Sequence, residues 1–163
     1  MLWPPAQERS PHRYWVISMS AQEIQRLHCH AAGTPHELVR LRQWLRDQLD
    51  YAPDSIRIYA EHVLAEAASN AIQHSRSGEA GGIYEVIVIC YPVLLRGLVI
   101  DAGPKAPVAL PEFTAAGPLD EHGRGFSIID AFCKRWEFIP RPVGSLTWFE
   151  LDWDTTDSLC PSV

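Results

Sequence analysis

Nothing in this chain approaches the ~20 consecutive apolar residues that a membrane-spanning helix needs. Its first residues, Met1-Leu2-Trp3-Pro4-Pro5, contain no basic segment followed by an apolar one, so no secretory signal peptide is expected. Cysteine is scarce and scattered: Cys29, Cys90, Cys133 and Cys160 form no CxxC pair. Cys90 and Cys133 sit in apolar stretches and read as reduced core residues, which points to the cytoplasm. Positive charge is also short, with 14 Lys and Arg against 20 Asp and Glu, a net charge of −6. That balance argues against general binding to a nucleic-acid backbone, and neither a nucleic acid nor a membrane is expected as a partner. No internal repeat and no low-complexity tract appears.

What is present fits one domain. A chain of 163 residues buries roughly 70% of its unfolded surface, so no disulfide or metal is required to hold it. Residues 1–20, rich in Pro, Trp and Arg, read as an N-terminal extension, residues 21–155 as the domain, and 156–163 as a C-terminal tail. Leu27–Ala31 reads as a short edge strand. Thr34-Pro35-His36-Glu37 is a helix start with Thr as N-cap, Pro at N1 and Glu closing a capping box. The helix runs to about Leu49, with Leu38, Leu41, Leu45 and Leu49 at spacings of three and four. A second helix spans Ser55 to His74. Ile83–Tyr91 and Leu94–Ile100 read as buried strands, and 102–122 as a long irregular loop of the kind that forms lids or binding loops. A short helix over Phe126–Cys133 and a strand pair, Arg135–Arg141 and Leu146–Trp153, complete the chain. This order predicts an α+β fold with helices on one face of a mostly antiparallel sheet.

Three constellations carry chemistry. In Val63-Leu64-Ala65-Glu66-Ala67-Ala68-Ser69-Asn70-Ala71-Ile72, Glu66 and Asn70 lie four residues apart, about 40° round the helix, and point the same way. Polar groups held in so apolar a helix need partners. An amide oxygen suits Mg²⁺, and a neighbouring carboxylate can orient or deprotonate a hydroxyl. The plainer alternative is a pair at the helix edge bonded to backbone. Second, Asp101 ends a buried strand and Gly103 follows, so a carboxylate meets a backbone that a ligand can approach closely. An adenine amino group is a fitting donor, although Asp-x-Gly also ends ordinary strands. Third, His122-Gly123-Arg124-Gly125 precedes a helix. Its free N–H groups and the helix dipole suit a polyphosphate, with Arg124 as an added donor; a flexible helix entry is the alternative.

Taken in order, E-x-x-x-N on a helix, D-x-G after a strand, a lid-length loop and G-x-G before a helix resemble the N, G1 and G2 boxes of the GHKL ATPases. Within that superfamily the chain is most similar to the bacterial anti-sigma-factor serine kinases, over roughly residues 27–153. The resemblance implies a Bergerat-type two-layer sandwich that binds ATP and Mg²⁺. It implies Glu66 as the general base that activates a substrate serine, Asn70 as the Mg²⁺ ligand, and Asp101 on the adenine amino group with Gly103 beneath it. Gly123, Arg124 and Gly125 would hold the phosphates, and 104–122 would form the lid. The implied partners are a sigma factor and an antagonist protein, the chain itself acting as a homodimer. Two positions depart from the family pattern. Lys105, after Pro104, stands where a second glycine is usual, and Leu146 where a threonine near adenine is usual, with Ser145 and Thr147 as substitutes. These departures keep a second function open, a partner-capture module for which ATP is only a structural ligand. A histidine-kinase ATP domain is less expected, because this sequence leaves little room before the fold for a helical hairpin bearing a phospho-accepting His.

Other features read more plainly. His28 and His30 would share one strand face, but the sequence shows no second ligand pair at metal spacing, so they read as exposed strand residues. Lys134 and Arg135 could favour a thiolate at Cys133, although a buried thiol fits its neighbours better. His74 reads as a helix-end dipole partner.

Overall fold

The computed structural model describes residues 23–105 and 124–152, and of residues 124–127 the backbone alone. The expected N-terminal extension, most of the loop expected to form a lid, Gly123, Cys160 and the C-terminal tail lie outside the described residues. Strand β1 (Gln25–Ala32) opens the fold, followed by α1 (Pro35–Gln48) and α2 (Asp54–His74). A single 3-10 turn, Arg76–Gly78, leads into β2 (Ile83–Tyr91) and β3 (Leu94–Asp101). Then come α3 (Arg124–Phe132), β4 (Arg135–Pro140) and β5 (Ser145–Asp152).

The five strands form one sheet in the order β1-β2-β3-β5-β4, and every pair is antiparallel. The three α-helices among the described residues lie on one face, giving the expected two-layer α+β sandwich. Alternation along the strands sorts the faces: Val86, Val88, Val99, Phe149 and Leu151 are buried inwards with Leu45, Leu49, Val63 and Leu64. Each such side chain contributes about 1.5–3 kcal/mol by leaving water.

The first helix starts as its sequence predicts. Thr34 Oγ1 accepts from Glu37 N at 3.4 Å, but the reciprocal half of the capping box is absent among the described residues. The Glu37 carboxylate takes Arg40 instead, at 2.9 Å. The second helix packs closely on the sheet because its inner face is small: Ala60, Ala67, Ala68 and Ala71 are buried beside Ile56, Val63 and Leu64. No residue from 63 to 72 is fully exposed, so Glu66 and Asn70 lie in a helix surrounded on most sides. The third helix begins at Arg124 rather than Phe126. Arg124 and Gly125 therefore belong to its first turn instead of preceding it, since the first helical residues need no upstream hydrogen-bond acceptor.

Candidate functional site

The helix α2 presents Glu66 and Asn70 from adjacent turns of one face, as the spacing predicts. Both are partly buried. Desolvation raises the Glu66 pKa above its ordinary 4.5, and the Arg42 charge on α1 opposes that rise. Asn70 Nδ2 is buried without a hydrogen-bond partner. A buried amide left unpaired costs about 1–3 kcal/mol, which a hydrogen-bond acceptor reaching Nδ2, or a cation meeting the oxygen of the turned-over carboxamide, would relieve.

Arg42 was not singled out in the sequence, yet its signal was there. It lies four residues after Leu38 and three before Leu45, in the stripe that α1 turns towards α2. Its Nε lies 3.5 Å from Glu61, and Arg46 holds the same carboxylate at 2.8 Å. Glu61 therefore takes up much of the positive charge that α1 brings to this helix.

The Asp101 turn is held by the end of α2. Arg76 N donates to Gly103 O at 2.8 Å. The Arg76 guanidinium donates to Ala102 O at 2.7 and 3.1 Å, and the Ser77 hydroxyl accepts from Ala102 N at 2.9 Å. Ser75, itself buried, donates to Ala71 O at 2.6 Å and accepts from Ser77 N at 3.0 Å. The Ser75-Arg76-Ser77 segment thus ties the Asn70 helix to the Asp101-Ala102-Gly103 turn. In the sequence it reads only as a helix end, because its partners lie some 25 residues further along the chain.

Asp101 is buried and uses a single oxygen for its internal bonds. Its Oδ1 accepts from Gly103 N at 2.7 Å and from the Ser145 hydroxyl at 2.6 Å. Oδ2 takes no hydrogen bond among the described residues and is left for an external donor. Gly103 and Gly144 support this turn in left-handed conformations, φ +80° and +79°. A Cβ on Gly144 would stand 2.1 Å from Asp101 O, so only glycine fits beneath the carboxylate's backbone.

The closing strand settles which hydroxyls share this face. Ser145 pairs with Asp101 and Thr147 with Val99, on the helix side, whereas Leu146 pairs with Ile100 on the other side. The period of two in a strand makes this unavoidable. Leu146 therefore does not stand beside Asp101, and Ser145 supplies the hydroxyl there.

Asn70, Glu66, Asp101 and Gly103 are thus joined through α2, its terminal clamp and β3. Gly123 lies outside the described residues, and of Arg124 and Gly125 only the helical backbone is described. Burial pushes the Cys133 thiol up to about 12 and Cys29 to about 11, so both stay protonated thiols at neutral pH. A hollow of about 240 Å³ between the end of α3 and β4, lined by Cys133, Lys134, Trp136 and Trp148 among others, includes none of the predicted site residues.

No protein-family model and no curated protein matches this chain. Among solved structures, the chain is similar to the crystal structure of the RsbU and RsbW domains of Rv1364c from Mycobacterium tuberculosis. The TM-score is 0.56 at 18% identity, over 79% of this chain and 33% of that one. The two share a fold. This chain spans about a third of its neighbour's length, and at this identity the likeness is one of fold. Among the described residues, no helix is long and apolar enough to cross a membrane.

Proposed function

We propose that this chain is a cytoplasmic ATP-binding anti-sigma regulatory factor that sequesters a sigma factor and phosphorylates a serine or threonine of an antagonist protein. The observation that carries the reading is the unpartnered, buried Asn70 amide, on the same helix face as Glu66 and tied to the Asp101 turn. The residues fit Mg·ATP. Turned over, the Asn70 carboxamide offers its oxygen to Mg²⁺, the free Asp101 Oδ2 accepts from the adenine amino group, and the first turn of α3 offers N–H groups to phosphate. When bound, ATP supplies the transferable phosphoryl group. Glu66 orients and deprotonates the substrate hydroxyl, and its partial burial keeps water from competing for that proton. The RsbW domain named in the structural neighbour is consistent with a partner-switching role, and the family resemblance adds a homodimer to the reading.

A second reading, ATP-dependent partner capture without phosphotransfer, is favoured by Lys105, an exposed cation at a position where the family usually has glycine. Incubation with radiolabelled ATP and a candidate antagonist separates the two. Label transfer is expected from the wild-type chain, with a loss of at least ~100-fold in Glu66→Ala. Nucleotide binding without transfer to any cognate antagonist supports capture alone. No calorimetric binding at millimolar ATP and Mg²⁺ rejects both. Asn70→Ala should abolish Mg²⁺-dependent affinity with thermal stability unchanged or slightly raised, because the substitution removes an unsatisfied buried group.

A further inference from the structure

The outer face of the sheet, opposite the helices, carries a separate cluster. His28 and His30 are alternate residues of the edge strand β1, so both imidazoles leave the sheet on the outer side. Register with β2 places Glu85 directly opposite His30. His28 Nε2 lies 2.8 Å from Glu85 Oε1, and the two imidazole rings meet edge to face with centroids 4.9 Å apart. One ligand atom from each of the three residues falls within 4.8 Å of the others. The nearby cation Arg26 is engaged by Glu23 through bonds of 3.0 and 2.7 Å, which tempers its repulsion of a second positive charge.

We propose that His28, His30 and Glu85 form a binding site for Zn²⁺. Two imidazoles and one carboxylate form a donor set that zinc accepts, leaving the fourth tetrahedral position to water or an incoming ligand. Bonds of about 2.0–2.2 Å require ligand atoms about 3.3–3.6 Å apart, so the widest separation must shorten by rotation about side-chain bonds. Side-chain exposures of 48% for His28 and 31% for Glu85 leave room for those rotations and a direct path for the ion. The nitrogen ligands disfavour Mg²⁺ and Ca²⁺, which select oxygen. Because the ligands come from two strands, the ion fastens the edge strand to the sheet. The site lies on the opposite face from Asp101 and is independent of the nucleotide reading.

The test is a Zn²⁺ titration of the full chain by calorimetry without nucleotide, paired with thermal melts at increasing Zn²⁺. One equivalent is expected to bind, with a rise in melting temperature that follows occupancy. Removal of a group that merely hydrogen-bonds a metal ligand already weakens metal sites by ~10–100-fold, so loss of a direct ligand in His28→Ala or His30→Ala should weaken binding by at least that much. The double variant should show neither the binding nor the thermal shift, and Glu85→Gln should be weakened at least ~10-fold. His62→Ala, an exposed histidine on α2, should match wild type. All these positions are exposed or half-exposed, and circular dichroism checks that each variant is folded. Zinc binding that survives in the double variant at wild-type affinity overturns the proposal, as does the absence of binding at micromolar Zn²⁺.

Discussion

Glu66 and Asn70 occupy the same helix face, and burial acts on them differently. The Glu66 carboxyl is desolvated, which disfavours its charged form and raises its pKa above 4.5. A carboxyl raised in the folded state favours folding fully only below its unfolded pKa, and that contribution is lost as pH rises through the folded value. Glu66→Gln should therefore raise the melting temperature at pH 7.5, with the gain shrinking as pH falls towards 4.5. Differential scanning fluorimetry across that range checks it, and a gain independent of pH would reject burial as the cause. The same shift carries the acid limb of any Glu66-dependent phosphotransfer upwards, because the base must be ionised to act. E-x-x-x-N was legible in the sequence. The partial burial of Glu66 by α1, and Arg42 facing it, were not, because helix–helix contact is not encoded in the spacing within either helix.

At the scale of elements, the main finding is the clamp between the end of α2 and the turn after β3. Ser77 is fully buried, and its hydroxyl satisfies Ala102 N. Ser77→Ala leaves that N–H unpaired and should destabilise the fold by about 1–3 kcal/mol in urea titrations. Gly144→Ala should cost more than 2 kcal/mol, since a left-handed alanine adds strain of about 1–2 kcal/mol to the clash with Asp101 O. It should also weaken nucleotide binding, whereas alanine at Gly81, equally left-handed at φ +76° but with nothing within 4 Å of the added Cβ, should leave nucleotide binding unchanged. Boundaries of the longer elements were legible to within a residue or two, because hydrophobic period and turn residues are local signals. The entry to α3 was not: the sequence placed Arg124 and Gly125 before the helix that contains them.

Across the whole molecule, the sheet joins residues that the sequence keeps far apart. Glu150 on β5 is 1% exposed although it faces away from the helices. Arg96 on β3 holds its Oε1 at 2.5 and 3.0 Å, and Arg135 on β4 contacts Oε2. Removing the carboxylate leaves two partly buried guanidinium groups facing each other across three strands. Glu150→Ala should destabilise the protein by about 3–5 kcal/mol in a denaturant titration, and Glu150→Gln by less. A loss under 1 kcal/mol for Glu150→Ala would mean that solvent already screens the triad.

The sequence by itself determined the helices, the strands, their layering as α+β, and the helix face that carries Glu66 and Asn70. Those follow from periodicities of 3.6 and 2 and from capping and turn chemistry, all within a few residues of chain. Only the tertiary structure decided that Ser145 rather than Leu146 meets Asp101, that Ser75-Arg76-Ser77 holds the Asp101 turn, and that Glu85 completes the His28–His30 cluster. The first and last depend on strand register and order, and the second on where the end of α2 meets the turn after β3. Pairing partners are chosen by the packing of the whole chain, and a one-residue slip of a strand would send its side chains to the other face.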